Sequence, residues 1–141
     1  MKLTTYVSVY LVLEKNGKFL LSKRKNTGYR DGWRSMVAGH LEEGEKAIDA
    51  MIRETREEAN IQINREDLKV AHVMFRHEDR AYADIFLTCK KYSGELRNNE
   101  PNVCDGLEFF SLEEFPENTV EYVKTAIDYI KKGVAFSDDT L

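Results

Sequence analysis

Residues 39–61 read GHLEEGEKAIDAMIRETREEANI, and the reading of this stretch decides the fold. Glycines at 39 and 44 give its first residues the composition of a loop. From Glu45 to Ile61 there is no Gly or Pro, and alanines, a methionine and interleaved acids and bases predict a helix of about four turns. Glu45, near the helix start, complements the positive end of the macrodipole. At about 100° per residue, Ala47, Ile48, Met51, Ile52, Thr55 and Ala59 share one arc, the expected buried face. Lys46, Asp49, Arg53 and Arg56 lie opposite, on the expected solvent side. Glu54, Glu57 and Glu58 form a third patch at the edge of the apolar arc, beside Ala47 and Ala50. Carboxylates at i, i+3 and i+4 repel, more so when partly buried, and the natural counter-charge is a divalent cation with oxygen preference, Mg²⁺ or Mn²⁺. An Arg-Glu-x-x-Glu-Glu run alone is equally the pattern of an ion-paired surface helix.

The longer spacing is far more specific. Gly39, five residues, Glu45, seven residues, Arg53-Glu54, two residues and Glu57-Glu58 reproduce the Nudix box. Its chance occurrence is on the order of one in a million or less per start site. On these residues the chain resembles the Nudix hydrolases. The resemblance implies an α/β fold, α+β in its connectivity: an α/β/α sandwich with a mixed β-sheet between helices, in one domain over residues 1–141 with the box at 39–61. It also implies hydrolysis, with Mg²⁺ or Mn²⁺, of a nucleoside diphosphate linked to another moiety. Carried over position by position, Glu54, Glu57, Glu58 and the carbonyl of Gly39 correspond to metal ligands, while Arg53 and Glu45 brace the loop against the helix. Glu54 or Glu57 corresponds to the group that takes the proton of the attacking water. Some members use an acid from a later loop instead, and Glu100 is the candidate here, with Glu108 second. Thr55 departs from the usual bulky aliphatic, and Asn60 from the usual glycine at the helix end; Asn tolerates the left-handed conformation required there.

Outside the box, residues 5–14 and 18–25 are apolar β-type runs around Asn16-Gly17, the strongest short hairpin signal. Residues 26–33 (NTGYRDGW) have turn composition and are expected to form a loop over the site. Arg24 and Arg30 are the candidates for holding substrate phosphate, since a guanidinium matches phosphate oxygens in bidentate fashion; each is equally able to be an exposed surface arginine. Residues 35–38 are expected to be a short strand delivering Gly39, and Trp33 a core or lid residue. Strands are expected at 68–76, 82–92 and 106–111, a turn at 77–80 and a loop at 98–105. Asn118 is expected to cap a helix over 120–132 whose stripe of Val120, Val123, Ile127 and Ile130 faces the core. The residues from 135 read as a frayed tail. His40, His72 and His77 lack the companions of a zinc site, and structural roles are expected for them.

Composition narrows the function further. With 21 Lys and Arg against 25 Asp and Glu, the balance is −4, and no long basic run argues for general nucleic-acid binding. The apolar run ending at Leu13 is too short to cross a membrane, and Cys89 and Cys104 are expected to be free thiols in a cytoplasmic setting. The expected partner is a nucleotide small molecule, and a homodimer is compatible with the sequence. A MutT-like (d)NTP pyrophosphohydrolase is the first choice. ADP-sugar, dinucleoside polyphosphate or capped-RNA hydrolysis is the enzymatic alternative, and a non-catalytic nucleotide-sensing Nudix module the alternative of another class.

Overall fold

A computed structural model describes residues 1–138. Its strands are β1 (Tyr6–Lys15), β2 (Lys18–Arg24), β3 (Arg34–Ser35), β4 (Ala38–His40), β5 (Lys69–His77), β6 (Ala81–Cys89), β7 (Cys104–Phe110) and β8 (Phe136–Ser137). Helix α1 (Ala47–Ala59) follows β4, and α2 (Glu121–Lys131) follows β7. β1 is the spine of the sheet: it runs parallel to β6 along one edge and pairs antiparallel with both β4 and β2 along the other. β2 also carries β3 and β7, and β6 carries β5. The sheet is therefore mixed, as expected.

Alternation along β1 shows why the sheet needs a helix on each face. Val9, Leu11 and Leu13 pack in the cluster with Met51, Ala59 and Leu87, beneath α1. Tyr10 and Val12 pack in the other cluster with Phe86, Met74, Val123 and Ile127, beneath α2. A strand buried on both faces reads as a continuous apolar run, which is what residues 9–13 are. The α/β/α sandwich expected from the resemblance is the observed architecture.

The β1–β2 hairpin turns at Asn16 and Gly17, with φ of +54° and +76°, as the Asn-Gly pair requires. Helix α1 is shorter at both ends than the composition of 45–61 predicts. Lys46 is extended, and Glu45 is drawn out of the helix to Arg53. At the other end Asn60 takes φ +63°, its N–H donates to the Arg56 carbonyl, and its side-chain amide donates to Glu95 O. Thr55 is fully buried, its methyl in the core and its hydroxyl donated to Met51 O at 2.7 Å.

Three expectations are corrected by the backbone. Gly39 lies inside β4 rather than after a strand over 35–38, because Met36 and Val37 separate two short pairings. Asn118 does not cap α2; Val120 holds the cap position, while the Asn118 amide donates to Gly32 O at 2.6 Å. The residues from 135 are not all a frayed tail: Phe136 and Ser137 pair in parallel with Val73 and Met74, and residues 139–141 lie outside the described segment.

This last strand is held by His72, which is fully buried and stacks on Tyr129 at 5.0 Å. The Val134 carbonyl can only accept, so His72 Nδ1 donates to it at 2.7 Å, and Nε2 accepts from the Ser137 hydroxyl at 2.8 Å. A Ser137→Ala variant should lose about 1–3 kcal/mol of stability by leaving that nitrogen buried without a partner, read as a fall in the urea midpoint at unchanged slope.

Candidate active site

Helix α1 and the loop ahead of it are held together by one side chain. Arg53, only 17 % exposed, donates to Glu45 through Nε (2.8 Å) and Nη2 (3.0 Å), to Glu54 (2.8 Å) and Glu57 (3.3 Å) through Nη1, and to the His40 carbonyl (3.3 Å). The helical-wheel placement of Arg53 in solvent is thus corrected: the loop folds back over that face of α1 and takes the arginine in. Glu45 also accepts the Glu42 N–H at 3.0 Å, and the two contacts, that of Arg53 first, hold its carboxyl down at about 2.

Gly39 explains itself by what a side chain would meet. A Cβ there would stand 2.2 Å from the carboxyl carbon of Glu54. The glycine therefore lets the Glu54 carboxylate lie directly on the β4 backbone. Glu58, one turn on, faces the cavity, and its Oε2 is buried without a hydrogen-bond partner. Burial first, then the Glu54 charge and a hydrogen bond shared with it, then Glu100, push the Glu58 carboxyl up to about 9. Glu57 is the outermost of the three, with half of its side chain in solvent.

Glu100 joins this cluster from the β6–β7 connection, which is laced to the end of α1. Arg97 N–H donates to Ala59 O, Asn99 N–H to Glu58 O, and the Asn98 side chain accepts the Glu100 N–H at 3.0 Å. Burial, followed by the charges of Glu54 and Glu57, raises the Glu100 carboxyl above its ordinary range. Four carboxylates thus sense one another across two elements. Glu108, by contrast, lies on β7 opposite Leu21, largely exposed and 3.9 Å from Arg34.

The cavity, about 640 Å³, is lined on this side by Gly39, Glu58 and Glu100 and on another by Lys23 and Arg24 of β2. Arg24 donates to Tyr29 O at 2.6 Å and to Thr27 at 3.2 Å, and lies over the Tyr29 ring. It orders the 26–33 loop, which does reach the cavity through Thr27 and Tyr29. Arg30 is placed elsewhere: it clasps Glu121 of α2 in bidentate fashion at 2.7 and 2.9 Å and stands between Tyr29 and Trp33. His40 is exposed, stacks on Tyr6 at 5.0 Å and lines the cavity.

Sequence reasoning missed a second part of the same wall, made by Tyr10, Arg76, Tyr82 and Tyr122. Arg76 read only as the end of a strand, and nothing in its neighbours along the chain signals that two other elements close around it.

Among the described residues, no group of three or more His, Cys, Asp or Glu side chains stands close enough together to enclose an ion. The donor set nonetheless suits a hard cation. It is all oxygen, it includes a buried carboxylate oxygen without a partner, and it concentrates negative charge that Arg53 only partly neutralises.

The cavity thus sets the carboxylates of Glu58 and Glu100 opposite basic and aromatic side chains, beside a mixed sheet that lies between two helices. The chain belongs to the Nudix family: the model of the NUDIX domain matches residues 2–129. It is 28 % identical, over 126 residues, to an ADP-ribose pyrophosphatase of Methanocaldococcus jannaschii, covering 89 % of this chain and 73 % of that one. The fold matches a MutT Nudix hydrolase from Burkholderia pseudomallei with a TM-score of 0.81 at 23 % identity, over 89 % of this chain and 97 % of that one. It also matches a MutT protein from Methanosarcina mazei, with a TM-score of 0.80 at 17 % identity, covering 94 % and 96 %. The protein is a Nudix pyrophosphohydrolase, of a family that generally works with divalent metal ions. Among the described residues no helix is long and apolar enough to cross a membrane.

Proposed function

We propose that the protein is a Mg²⁺- or Mn²⁺-dependent pyrophosphohydrolase that cleaves a nucleoside triphosphate, (d)NTP, to the monophosphate and pyrophosphate. The observation that carries this reading is a cavity with the carboxylates of Glu58 and Glu100 on one side, both raised by the neighbouring charge of Glu54, and Lys23 and Arg24 on another. Glu54, Glu57, Glu58 and the Gly39 carbonyl would hold the metal. Bound there, it would neutralise phosphate charge and lower the pKa of a coordinated water.

The remaining work falls to the chain. Arg53 keeps Glu54 and Glu57 oriented, and Gly39 keeps room for the Glu54 carboxylate. A raised carboxyl is a competent proton acceptor once the site is neutralised, which favours Glu100 as the general base, with Glu54 or Glu57 the alternatives inside the box. Lys23 and Arg24 would meet the phosphates. Arg30 would have to release Glu121 before it could do the same. Since phosphoryl transfer asks little covalent chemistry of a protein, this positioning and charge placement would account for most of the catalysis.

The M. jannaschii relative supports a second reading, ADP-ribose as substrate. One panel separates the two: (d)NTPs, ADP-ribose, nucleotide sugars and dinucleoside polyphosphates, followed by phosphate release with a coupled pyrophosphatase, which reports pyrophosphate from triphosphates, or with a coupled phosphatase, which reports the phosphomonoesters left by cleavage of ADP-ribose and nucleotide sugars. Turnover of triphosphates abolished by EDTA supports the first reading; turnover confined to ADP-ribose replaces it. Glu57→Gln should lower kcat about tenfold, since the amide oxygen can still ligate while the charge is gone. Full activity in that variant would remove Glu57 from the metal site. Ligand-induced thermal stabilisation without any product would favour a sensing module instead.

A further inference from the structure

Arg76 is a cation that the proposed hydrolysis does not use. It is only 5 % exposed, yet it lines the cavity that also holds Glu58 and Glu100. Its guanidinium lies between two rings, 4.5 Å from the centroid of Tyr82 and 4.0 Å from that of Tyr122. Nε donates to Asp84, which is fully buried, and Nη1 donates to Glu78 at 2.7 Å. Among the described residues the Nη2 amino group has no hydrogen-bond acceptor, and Asp84 Oδ1 has no donor.

The placement follows from the sheet. Arg76 pairs with Tyr82 across β5 and β6, and Tyr82 with Tyr6 across β6 and β1. By alternation Tyr82, Asp84 and Arg76 share the face of Phe86, Met74 and Tyr10, the face beneath α2. From β4, which carries Gly39, to β5, which carries Arg76, there are three strand-to-strand steps, about 14 Å. One extended ligand can reach both.

Charge decides what the far end takes. Arg76 and Arg80 face Glu78, Asp79 and Asp84, two cations against three carboxylates, so this wall does not attract a further phosphate. Its flat rings and fixed N–H group suit a planar, uncharged group that offers a hydrogen-bond acceptor. We propose that Arg76, steadied by Asp84 and framed by Tyr82 and Tyr122, binds the nucleobase and sets the preference among bases. The inference rests on the reading of the site as one for a nucleotide, and it holds for any leaving group.

The test therefore uses ligands common to every such substrate: AMP, CMP, GMP and UMP, with Kd measured by calorimetry. The wild type should favour its best base over its worst by at least about tenfold, the value of one hydrogen bond from a charged donor. Arg76→Met combined with Asp84→Leu removes both partners, so that no charge stays buried alone. In it the four Kd values should converge to within about threefold, with the weakest ligand little affected. Arg76→Lys keeps the charge but not the fork and should lose most of the preference. Asp84→Asn, which keeps the guanidinium but loosens it, should shrink the ratio and serves if the double variant does not fold. Equal affinities in the wild type, or a variant that weakens all four ligands alike with the ratio intact, would overturn the inference. A wild type that prefers one base yet hydrolyses only a diphosphate-linked substrate would sink the triphosphate reading and leave this one standing.

Discussion

Gly39→Ala should lower kcat/KM by about 100-fold while leaving the fold intact. The backbone at Gly39 does not occupy the left-handed region, so alanine is not excluded there by conformation. What excludes it is the Glu54 carboxyl, 2.2 Å from where the methyl carbon would sit. Glu54 can swing away, because it is a side chain, but its Cγ would also stand 2.7 Å from the methyl carbon, and the move breaks its 2.8 Å contact with Arg53 and the hydrogen bond it shares with Glu58. Stability is thus expected to fall only modestly, whereas the carboxylate moves by about an ångström or more, and a misplacement of that size at a reacting centre costs about 100-fold. Melting temperature and metal-dependent turnover measured on the same preparation would show it. A variant that melts like the wild type and retains full turnover would mean that the position of Glu54 is irrelevant to the reaction. Gly44→Ala is a useful contrast: there the surroundings are open, but φ is +78°, so the expected penalty is conformational and falls on stability.

The box was legible in the sequence because its function depends on spacing, and spacing along a helix survives in the linear text. Asn16-Gly17 and the alternation of β1 were legible for the same reason: each is a local rule with a local cause. Arg53 was not. A helical wheel knows the angle of a side chain but not whether a loop will fold over that angle, and residues 40–45 do. Asn118 has the composition of a helix cap, yet β3 lies alongside, and a backbone carbonyl at Gly32 competes successfully for its amide. The pairing of Phe136 with Val73 depends on a fully buried histidine more than sixty residues away in sequence, which no window could relate to it. Arg76 is the extreme case. Its neighbours in space come from β6 and α2, and its carboxylate partner gives no spacing signal, so sequence reading found the metal end of the cavity and missed the aromatic end.

Arg53→Met should abolish most activity and also destabilise the fold, by roughly 5–10 °C in melting temperature. Its side chain is the common partner of Glu45, Glu54 and Glu57, and removing it leaves three carboxylates around an apolar stem. Glu45 would lose the larger of the contacts that hold it at about 2, and its titration should return toward the ordinary carboxylate range, near 4.3. The sign of the pH effect follows. A carboxyl depressed in the folded state contributes stability above its unfolded pKa, and that contribution fades as pH falls from there toward the folded value of about 2. The stability difference between wild type and Arg53→Met should therefore be full at pH 7 and narrow between about 4.5 and 2. Denaturant melts across that range, with the Glu45 carboxyl followed by NMR, would test both halves. Lysine in place of Arg53 should rescue little, since an ammonium cannot span Glu45 in bidentate fashion while also reaching Glu54 and the His40 carbonyl. Saturating Mg²⁺ should recover part of the lost stability in Arg53→Met if the cation shares the task of neutralising Glu54 and Glu57. A shortfall indifferent to Mg²⁺ would place the metal elsewhere and make Arg53 a purely structural clamp.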